Sequence, residues 1–146
     1  MLHHLFRALH PAGDNRATGA AAETAAAVWL QHERGFKVVA RNWRNPRDRR
    51  EELDLVCRDG AVLVFVEVKA RAEAALVSGY YAIDRRKKQA LLRAARAYLA
   101  RLHPAPLTFR CDVVEVAVPG GGLANGVAPV VRHFENVPLF PKHYRG

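Results

Sequence analysis

Hydrophobic and polar positions along the chain predict two helices. An alanine-rich stretch predicts a helix from Thr18, a favourable N-cap residue, to Arg34, with Gly35 well suited to follow the last turn. A second helix is predicted over residues 85–101, with Asp84 as its cap. Its apolar residues recur at helical spacing: Leu91, Leu92, Ala95, Tyr98 and Leu99.

Period-two alternation and β-branched residues predict the strands. They cover residues 36–40, 52–56, 64–69, 109–118 and 129–134, and the second and third form a hairpin. The order helix, strands, helix, strands predicts an α/β or α+β sheet flanked by helices.

The hairpin carries charged residues within its most hydrophobic sequence. In the run from Val64 to Lys69 the residues alternate, so Glu67 and Lys69 project from one face and the valines from the other. Asp54 lies on the preceding strand. Strand interiors normally exclude these residue types, and a charge in a core must be paired or bound to a metal. We therefore treat the hairpin as the candidate functional site.

The register of the hairpin decides whether the carboxylates meet. If Asp59-Gly60 forms a two-residue type I′ turn, Asp54 lies opposite Phe65, Glu52 lies opposite Glu67, and Asp54 is a diagonal neighbour of Glu67. Diagonal Cβ atoms lie roughly 7–8 Å apart, which allows two carboxylates to converge on one cation. A three-residue loop would instead turn Asp54 to the opposite face.

A metal at this hairpin supplies a mechanism. Asp54 and Glu67, with backbone carbonyls, water and substrate phosphate, are expected to hold Mg²⁺ or Mn²⁺, which favour carboxylate ligands. Lys69 is placed to orient the attacking water or to stabilise charge developing on the phosphate. The alternative is a half-exposed strand in which Glu67 and Lys69 form an ordinary ion pair.

The same residues carry a family resemblance. Glu52-Leu53-Asp54-Leu55 followed by the run from Val64 to Arg71 resembles the YraN family of bacterial proteins. That family is similar in pattern to restriction-endonuclease-like, PD-(D/E)xK nucleases, including archaeal Holliday-junction resolvases. Further matching segments lie along most of the chain: residues 19–23, Leu30, Gly35-Phe36, Arg41-Asn42, Lys87, residues 94–99, 110–114 and 133–137.

The resemblance implies a restriction-endonuclease-like α/β core and a nuclease site. It implies that Asp54 and Glu67 are the metal carboxylates, Lys69 the catalytic lysine, and Glu23 the helical acid that completes the site. From the residues alone, Glu23 points either toward the hairpin or into solvent. Glu51 stands where the family usually has glycine.

Charge favours a polyanionic partner. The 146 residues include 23 Lys and Arg against 14 Asp and Glu, a formal net charge of +9. Basic residues bind phosphates with release of counterions. The segment 41–50 reads as a basic loop around Trp43, which either stacks on bases or packs against the core. The expected nucleic-acid contacts are Arg41, Arg44, Arg47, Arg49, Arg50, Arg71 and Lys87.

Lys87 lies among four consecutive bases at the start of the second helix. Cations oppose the helix dipole there, whereas a phosphate would be favoured. The alternative is a solvated basic turn.

One domain is expected over residues 18–140, with a flexible basic arm at 1–17 and a tail at 141–146. Cys57 and Cys111 fall inside predicted strands and are expected to be buried, reduced thiols, as in a cytoplasmic protein. The chain contains no long apolar run, P-loop or nucleophile elbow, so neither a membrane association nor those chemistries are expected.

Two functions remain. The first is a Mg²⁺-dependent nuclease that hydrolyses phosphodiester bonds in DNA, which we favour over RNA, including branched DNA. Action on a junction would call for a homodimer. The second is a non-catalytic nucleic-acid-binding protein that retains the nuclease scaffold. Salt-sensitive binding that survives loss of Asp54 would distinguish the second from the first.

Overall fold

The structure is a computed structural model that describes residues 14–72, 83–119, 123 and 126–140. Two helices and five strands occur in these residues. They are α1 (Asp14–Arg34), β1 (Lys37–Asn45), β2 (Asp48–Asp59), β3 (Val62–Ala72), α2 (Arg85–Leu99), β4 (Phe109–Val118) and β5 (Val130–Phe134).

The five strands form one mixed sheet in the order β1-β2-β3-β4-β5. Strand β3 pairs with β4 in parallel, and the other neighbouring pairs are antiparallel. Parallel neighbours need a crossover connection, and α2 lies in the connection between β3 and β4.

Each face of the sheet is covered by one helix. Ala26 and Leu30 of α1 pack with Val64 and Val66, whereas α2 packs on the face that carries Phe65. The alternation predicted for β3 is therefore confirmed, since its even-numbered valines and Phe65 lie in different clusters. The prediction of an α/β fold with a restriction-endonuclease-like core, a mixed sheet flanked by helices, is confirmed.

The ends of several elements match their predicted signals. Asp84 caps α2 by accepting a hydrogen bond from the backbone N–H of Lys87 at 2.8 Å. Gly35, with φ +67°, follows α1 in the left-handed conformation that favours glycine. The prediction that Thr18 caps the first helix is wrong, because α1 begins at Asp14.

The basic segment 41–50 is a strand hairpin rather than the predicted loop. Strand β1 continues to Asn45, and β2 begins at Asp48. Asn42, with φ +47°, interrupts the regular alternation within β1, which explains why periodicity ended the predicted strand early. The predicted arm is described only from Asp14, within α1, and the predicted tail lies outside the described residues.

The predicted register between β2 and β3 is wrong by two residues. Asp59 pairs with Val62, so the turn residues are Gly60 and Ala61. Gly60 has φ +57°, and a type II′ turn needs positive φ only at that first position, where glycine is preferred. Continuing this register, Asp54 comes directly opposite Glu67 rather than diagonal to it.

The sheet forks between β2 and β3. Their pairing runs from the turn to Leu55 and Val66. Beyond this point, β2 stays paired with β1 as far as Asp48, and β3 stays paired with β4 as far as Ala72. Asp54 and Glu67 are the next residues after the last pair, so both carboxylates lie at the start of the fork.

Cys57 and Cys111 are buried free thiols, as expected. Burial raises the pKa of the Cys57 thiol to about 12, so it stays protonated and unreactive at neutral pH. In the described part of the chain, no helix combines the length and apolarity needed to cross a lipid bilayer.

Candidate active site

Asp54 is directed into the fork by an irregularity in β2. Leu53 and Leu55 would share a face in a regular strand, yet they pack into the clusters on opposite sides of the sheet. Asp54 lies between them, across from Asn42 with its positive φ. The Asp54 Oδ2 atom accepts a hydrogen bond from the backbone N–H of Val68 at 2.8 Å. A side chain therefore binds a strand N–H at the point where the β2–β3 pairing has ended.

Glu67 is the most deeply buried carboxylate of the fork, with 3% of its surface exposed. Its Oε1 atom contacts two ammonium groups, Lys69 Nζ at 3.1 Å and Lys87 Nζ at 3.4 Å. Its Oε2 atom is buried and has no hydrogen-bond partner among the described residues. Buried polar atoms are normally satisfied, so this oxygen is available to a ligand.

The surroundings of Asp54 disfavour its charged form. Burial, followed by repulsion from Glu67, raises the pKa of Asp54 to about 8, against the hydrogen bond from Val68. For Lys87, in contrast, the charged form is favoured. Burial alone would lower the pKa of this lysine, but the charges of Glu67 and Asp54 outweigh burial and raise it. The fork is therefore a site where a cation is strongly favoured.

Glu23 faces this site from α1. Its carboxylate is hydrogen-bonded to Asn42, and burial together with the nearby charges of Glu52 and Glu67 raises its pKa. Of the two orientations considered from the sequence, the structure shows the one toward the fork.

The residues of the fork fit a divalent metal of the Mg²⁺ type. Within the described ranges, His, Cys, Asp and Glu do not gather in threes that could hold a metal. Mg²⁺ is usually held by one or two carboxylates, with water and substrate phosphate completing its shell. Asp54 and the unpartnered oxygen of Glu67 match that donor set.

Comparison with known proteins identifies the family. Residues 22–116 match the model of "Uncharacterised protein family UPF0102". The chain belongs to UPF0102. This is the YraN family that the sequence resembles, and the match covers both carboxylates of the fork and both of its lysines.

Individual relatives agree. A UPF0102 protein of Nitratidesulfovibrio vulgaris (strain DP4) is 42% identical over 104 residues, 71% of this chain and 75% of that protein. One from Symbiobacterium thermophilum is 44% identical over 102 residues, 70% and 83% of the two chains. One from Beutenbergia cavernae is 44% identical over 108 residues, 74% and 88% of the two chains.

The predicted nucleic-acid contacts of this UPF0102 chain separate into two groups. Arg44 pairs with Glu52 at 3.1 Å, and Arg50 pairs with Asp48 at 2.9 Å, both on the β1–β2 hairpin. The remaining arginines predicted on the hairpin are exposed: Arg41, Arg47 and Arg49. The hairpin therefore presents a basic surface on one arm of the fork.

Two other predicted contacts lie elsewhere. The Arg71 Nε atom is buried without a hydrogen-bond partner among the described residues, and its charge acts on Glu115. Lys87 lies inside the fork against Glu67. Its four-base turn gave a signal in the sequence, but that signal indicated phosphate rather than a carboxylate of the same protein.

Trp43 packs against the second helix of the UPF0102 core. Its ring lies 5.2 Å from the ring of Tyr98, in an edge-to-face arrangement, and Arg101 lies over it at 5.6 Å. Of the two interpretations of Trp43, packing against the core is confirmed.

Glu51, which stands where the family usually has glycine, braces the hairpin. It accepts hydrogen bonds from Arg93 Nε of α2 at 2.9 Å and from Asn45 Nδ2 at 2.8 Å. Glu51 therefore ties the β1–β2 hairpin to α2. Sequence reasoning missed this contact, because Arg93 and Glu51 are brought together only by packing of the helix on the sheet.

Proposed function

We propose that this protein is a divalent-metal-dependent nuclease that hydrolyses phosphodiester bonds in DNA. The observation that carries the proposal is the pair of buried carboxylates at the fork, Asp54 and Glu67, in which Glu67 Oε2 has no hydrogen-bond partner in the part of the chain that the structure describes. The lysines contact only Oε1 of Glu67, so its buried Oε2 supports a further ligand, because buried polar atoms are normally satisfied.

Each residue of the site has a chemical role in the proposal. Asp54 and Glu67 hold Mg²⁺ or Mn²⁺, which when bound polarises the phosphoryl group and lowers the pKa of a bound water. Lys69 stabilises the charge that develops on the phosphate during attack. Glu23 of α1, which is hydrogen-bonded to Asn42, completes the acidic wall of the site.

The surroundings support a nucleic-acid substrate. One arm of the fork carries the exposed arginines Arg41, Arg47 and Arg49, and the basic N-terminal turn of α2 reaches Glu67 of the other arm through Lys87. A DNA strand entering the fork would therefore meet cations on both sides before its phosphate reaches the proposed metal site at Asp54 and Glu67. DNA rather than RNA, a cytoplasmic location, and a homodimer for branched substrates are further parts of the proposal.

Cleavage assays on linear, flapped and four-way-junction DNA, with Mg²⁺ or Mn²⁺, test the proposal. We expect Asp54→Asn, Glu67→Gln and Lys69→Met each to reduce cleavage by about 100-fold or more. Glu135→Gln is the matched control, because it removes a carboxylate that pairs with Arg34 on the surface, away from the fork. Equal activity in all five proteins would refute the proposed site.

A second function is favoured by one specific contact. Glu67 Oε1 already has two lysines as counter-ions, an arrangement that a non-catalytic nucleic-acid-binding protein could keep without metal. That alternative predicts salt-sensitive DNA binding, no cleavage with any divalent metal, and the same affinity in wild type and Asp54→Asn.

A further inference from the structure

Two lysines from different parts of the chain contact the same oxygen of Glu67. Lys69 lies two residues further along β3, and Lys87 comes from the first turn of α2. Their Nζ atoms lie 3.1 Å and 3.4 Å from Glu67 Oε1. The two ammonium groups therefore share one oxygen of one carboxylate, and the roles of the two lysines can be compared.

Lys87 lies beside both carboxylates that would hold the metal. Its ammonium contacts Glu67 and lies close enough to Asp54 and Glu52 to be influenced by their charges. Two cations confined to the same carboxylates repel each other, strongly so where water is excluded. A divalent cation bound through Glu67 Oε2 would therefore be repelled by the Lys87 ammonium on Oε1, so the two cations compete for Glu67.

The two lysines differ in what else they can bind. On the sheet, the Cα partner of Lys69 is Glu115, so Lys69 lies between carboxylate-bearing positions on two strands. Lys87 belongs to a turn with three further bases, Arg85, Arg86 and Lys88. A DNA phosphate drawn to that turn offers Lys87 an anionic partner outside the carboxylate pair, whereas Lys69 meets a phosphate only at the reacting centre, beside Glu67.

We propose that Lys87 is an exchangeable counter-ion, which occupies Glu67 until a DNA phosphate draws it away and so admits the metal. The proposal rests on the proposed function, since it places the metal at Asp54 and Glu67. It makes metal and DNA binding mutually dependent: each strengthens the other by the same factor. Metal would then be retained mainly when substrate is present.

Calorimetric titration with Mn²⁺ in the absence of DNA gives the first test. Removing the competing ammonium in Lys87→Gln should tighten Mn²⁺ binding about tenfold, a difference of about 1.4 kcal/mol. Lys88→Gln, which removes the same charge from the adjacent position, should bind Mn²⁺ as the wild type does. Lys87→Arg keeps the cation and should also retain the wild-type affinity.

The second test measures the dependence on DNA, in a Lys69→Met background that keeps both carboxylates and, under the proposed function, does not cut DNA. Mn²⁺ should increase the affinity for a labelled duplex, measured by fluorescence anisotropy, about tenfold. Addition of Lys87→Gln should abolish that increase. Addition of Lys37→Gln, which removes an exposed lysine at the start of β1, outside the basic turn, should preserve it.

The outcomes separate the two proposals. If Mn²⁺ binding is lost in Asp54→Asn and Glu67→Gln but is equal in wild type and Lys87→Gln, the exchange is refuted while the metal site stands. If Lys87→Arg behaves like Lys87→Gln, the effect comes from packing rather than charge, which also refutes the exchange. If Mn²⁺ binding is unchanged in Asp54→Asn and Glu67→Gln, the proposed metal site itself fails. Thermal melting of every variant confirms folding.

Discussion

The sheet holds buried carboxylates on both of its sides, and they are treated in opposite ways. On the α1 side, fully buried Asp112 accepts two hydrogen bonds from Arg110, one from His133 Nε2 and one from the backbone N–H of Asn136. At the fork, Glu67 is nearly as buried but keeps one oxygen without a partner among the described residues.

The pKa values follow from this difference. Burial alone would raise the pKa of Asp112, but hydrogen bonds from His133, Arg110 and Asn136 outweigh burial and hold it below its usual value. At Asp54, burial and the charge of Glu67 prevail, and the pKa rises to about 8. The comparison teaches that burial does not determine a carboxylate's role. Fixed partners make Asp112 a structural anchor, whereas the shortage of partners at the fork suits a cation-binding site.

The largest expected effect is on the structural anchor. Asp112→Ala leaves the Asn136 N–H and His133 Nε2 without their acceptor and leaves Arg110 with Asp59 alone, and should lower the free energy of unfolding by about 3 kcal/mol. Urea denaturation followed by circular dichroism measures it. A loss below about 1 kcal/mol would show that Asp112 does not anchor the segment from His133 to Asn136, and would remove the contrast between the two sites.

At the fork, we expect a substitution to increase the free energy of unfolding instead. Asp54→Asn removes a charge that the folded protein disfavours but keeps an oxygen that can accept from Val68 N–H. We expect it to raise the free energy of unfolding at neutral pH by about 1–2 kcal/mol while abolishing metal binding. The same denaturation experiment checks the first effect and calorimetry the second. Destabilisation would mean that Asp54 is structural after all.

The pH dependence of stability sharpens the comparison. Because the pKa of Asp54 is raised to about 8, the folded state holds an extra proton between about pH 4 and pH 8. Its contribution to the free energy of unfolding therefore falls as pH rises through that window. Asp112 acts in the reverse direction, since its lowered pKa makes its contribution disappear only as pH falls below about 4.

Denaturation of wild type and Asp54→Asn from pH 4 to pH 9 isolates the Asp54 contribution. The stability advantage of Asp54→Asn should grow with pH and level off above pH 8. The same proton competes with metal, so Mn²⁺ affinity in the wild type should increase with pH over this range. A constant difference between the two proteins would contradict the raised pKa.

The smallest expected effect concerns the brace between hairpin and helix. Arg93 is more than half exposed, so its ion pair with Glu51 is screened by water. Arg93→Ala should lower the free energy of unfolding by less than about 1 kcal/mol. If the rate of DNA cleavage falls strongly while the free energy of unfolding hardly changes, the Arg93–Glu51 contact positions the β1–β2 hairpin rather than stabilising the fold.

Local sequence signals predicted much of the fold, but features that depend on contacts between distant residues could not be predicted from the sequence. Asp84 as a cap, Gly35 after α1 and the bounds of β4 follow from residues adjacent in sequence. The register of the hairpin did not follow, because Asp59-Gly60 and Gly60-Ala61 both place glycine at a position of positive φ. A choice between those turns depends on packing across the whole sheet.

The site was predictable to the same extent. Asp54, Glu67 and Lys69 stand out as charges in hydrophobic strands, and the structure brings all three to the fork. The position of Lys87 was not predictable, because the distance from α2 to Glu67 depends on how the helix packs. Asn42 gave no signal, since asparagine in the left-handed conformation within a strand looks like a loop residue.

The hydrogen bond from Val68 N–H to Asp54 gives the site its own spectroscopic reporter. The chemical shift of an amide proton depends on the charge of the oxygen that it binds. Protonation of Asp54, arrival of a metal and departure of Lys87 would each change the field at that proton. In a ¹⁵N-labelled sample, the Val68 amide resonance should therefore follow the state of the fork through a complete titration, without any substitution in the protein.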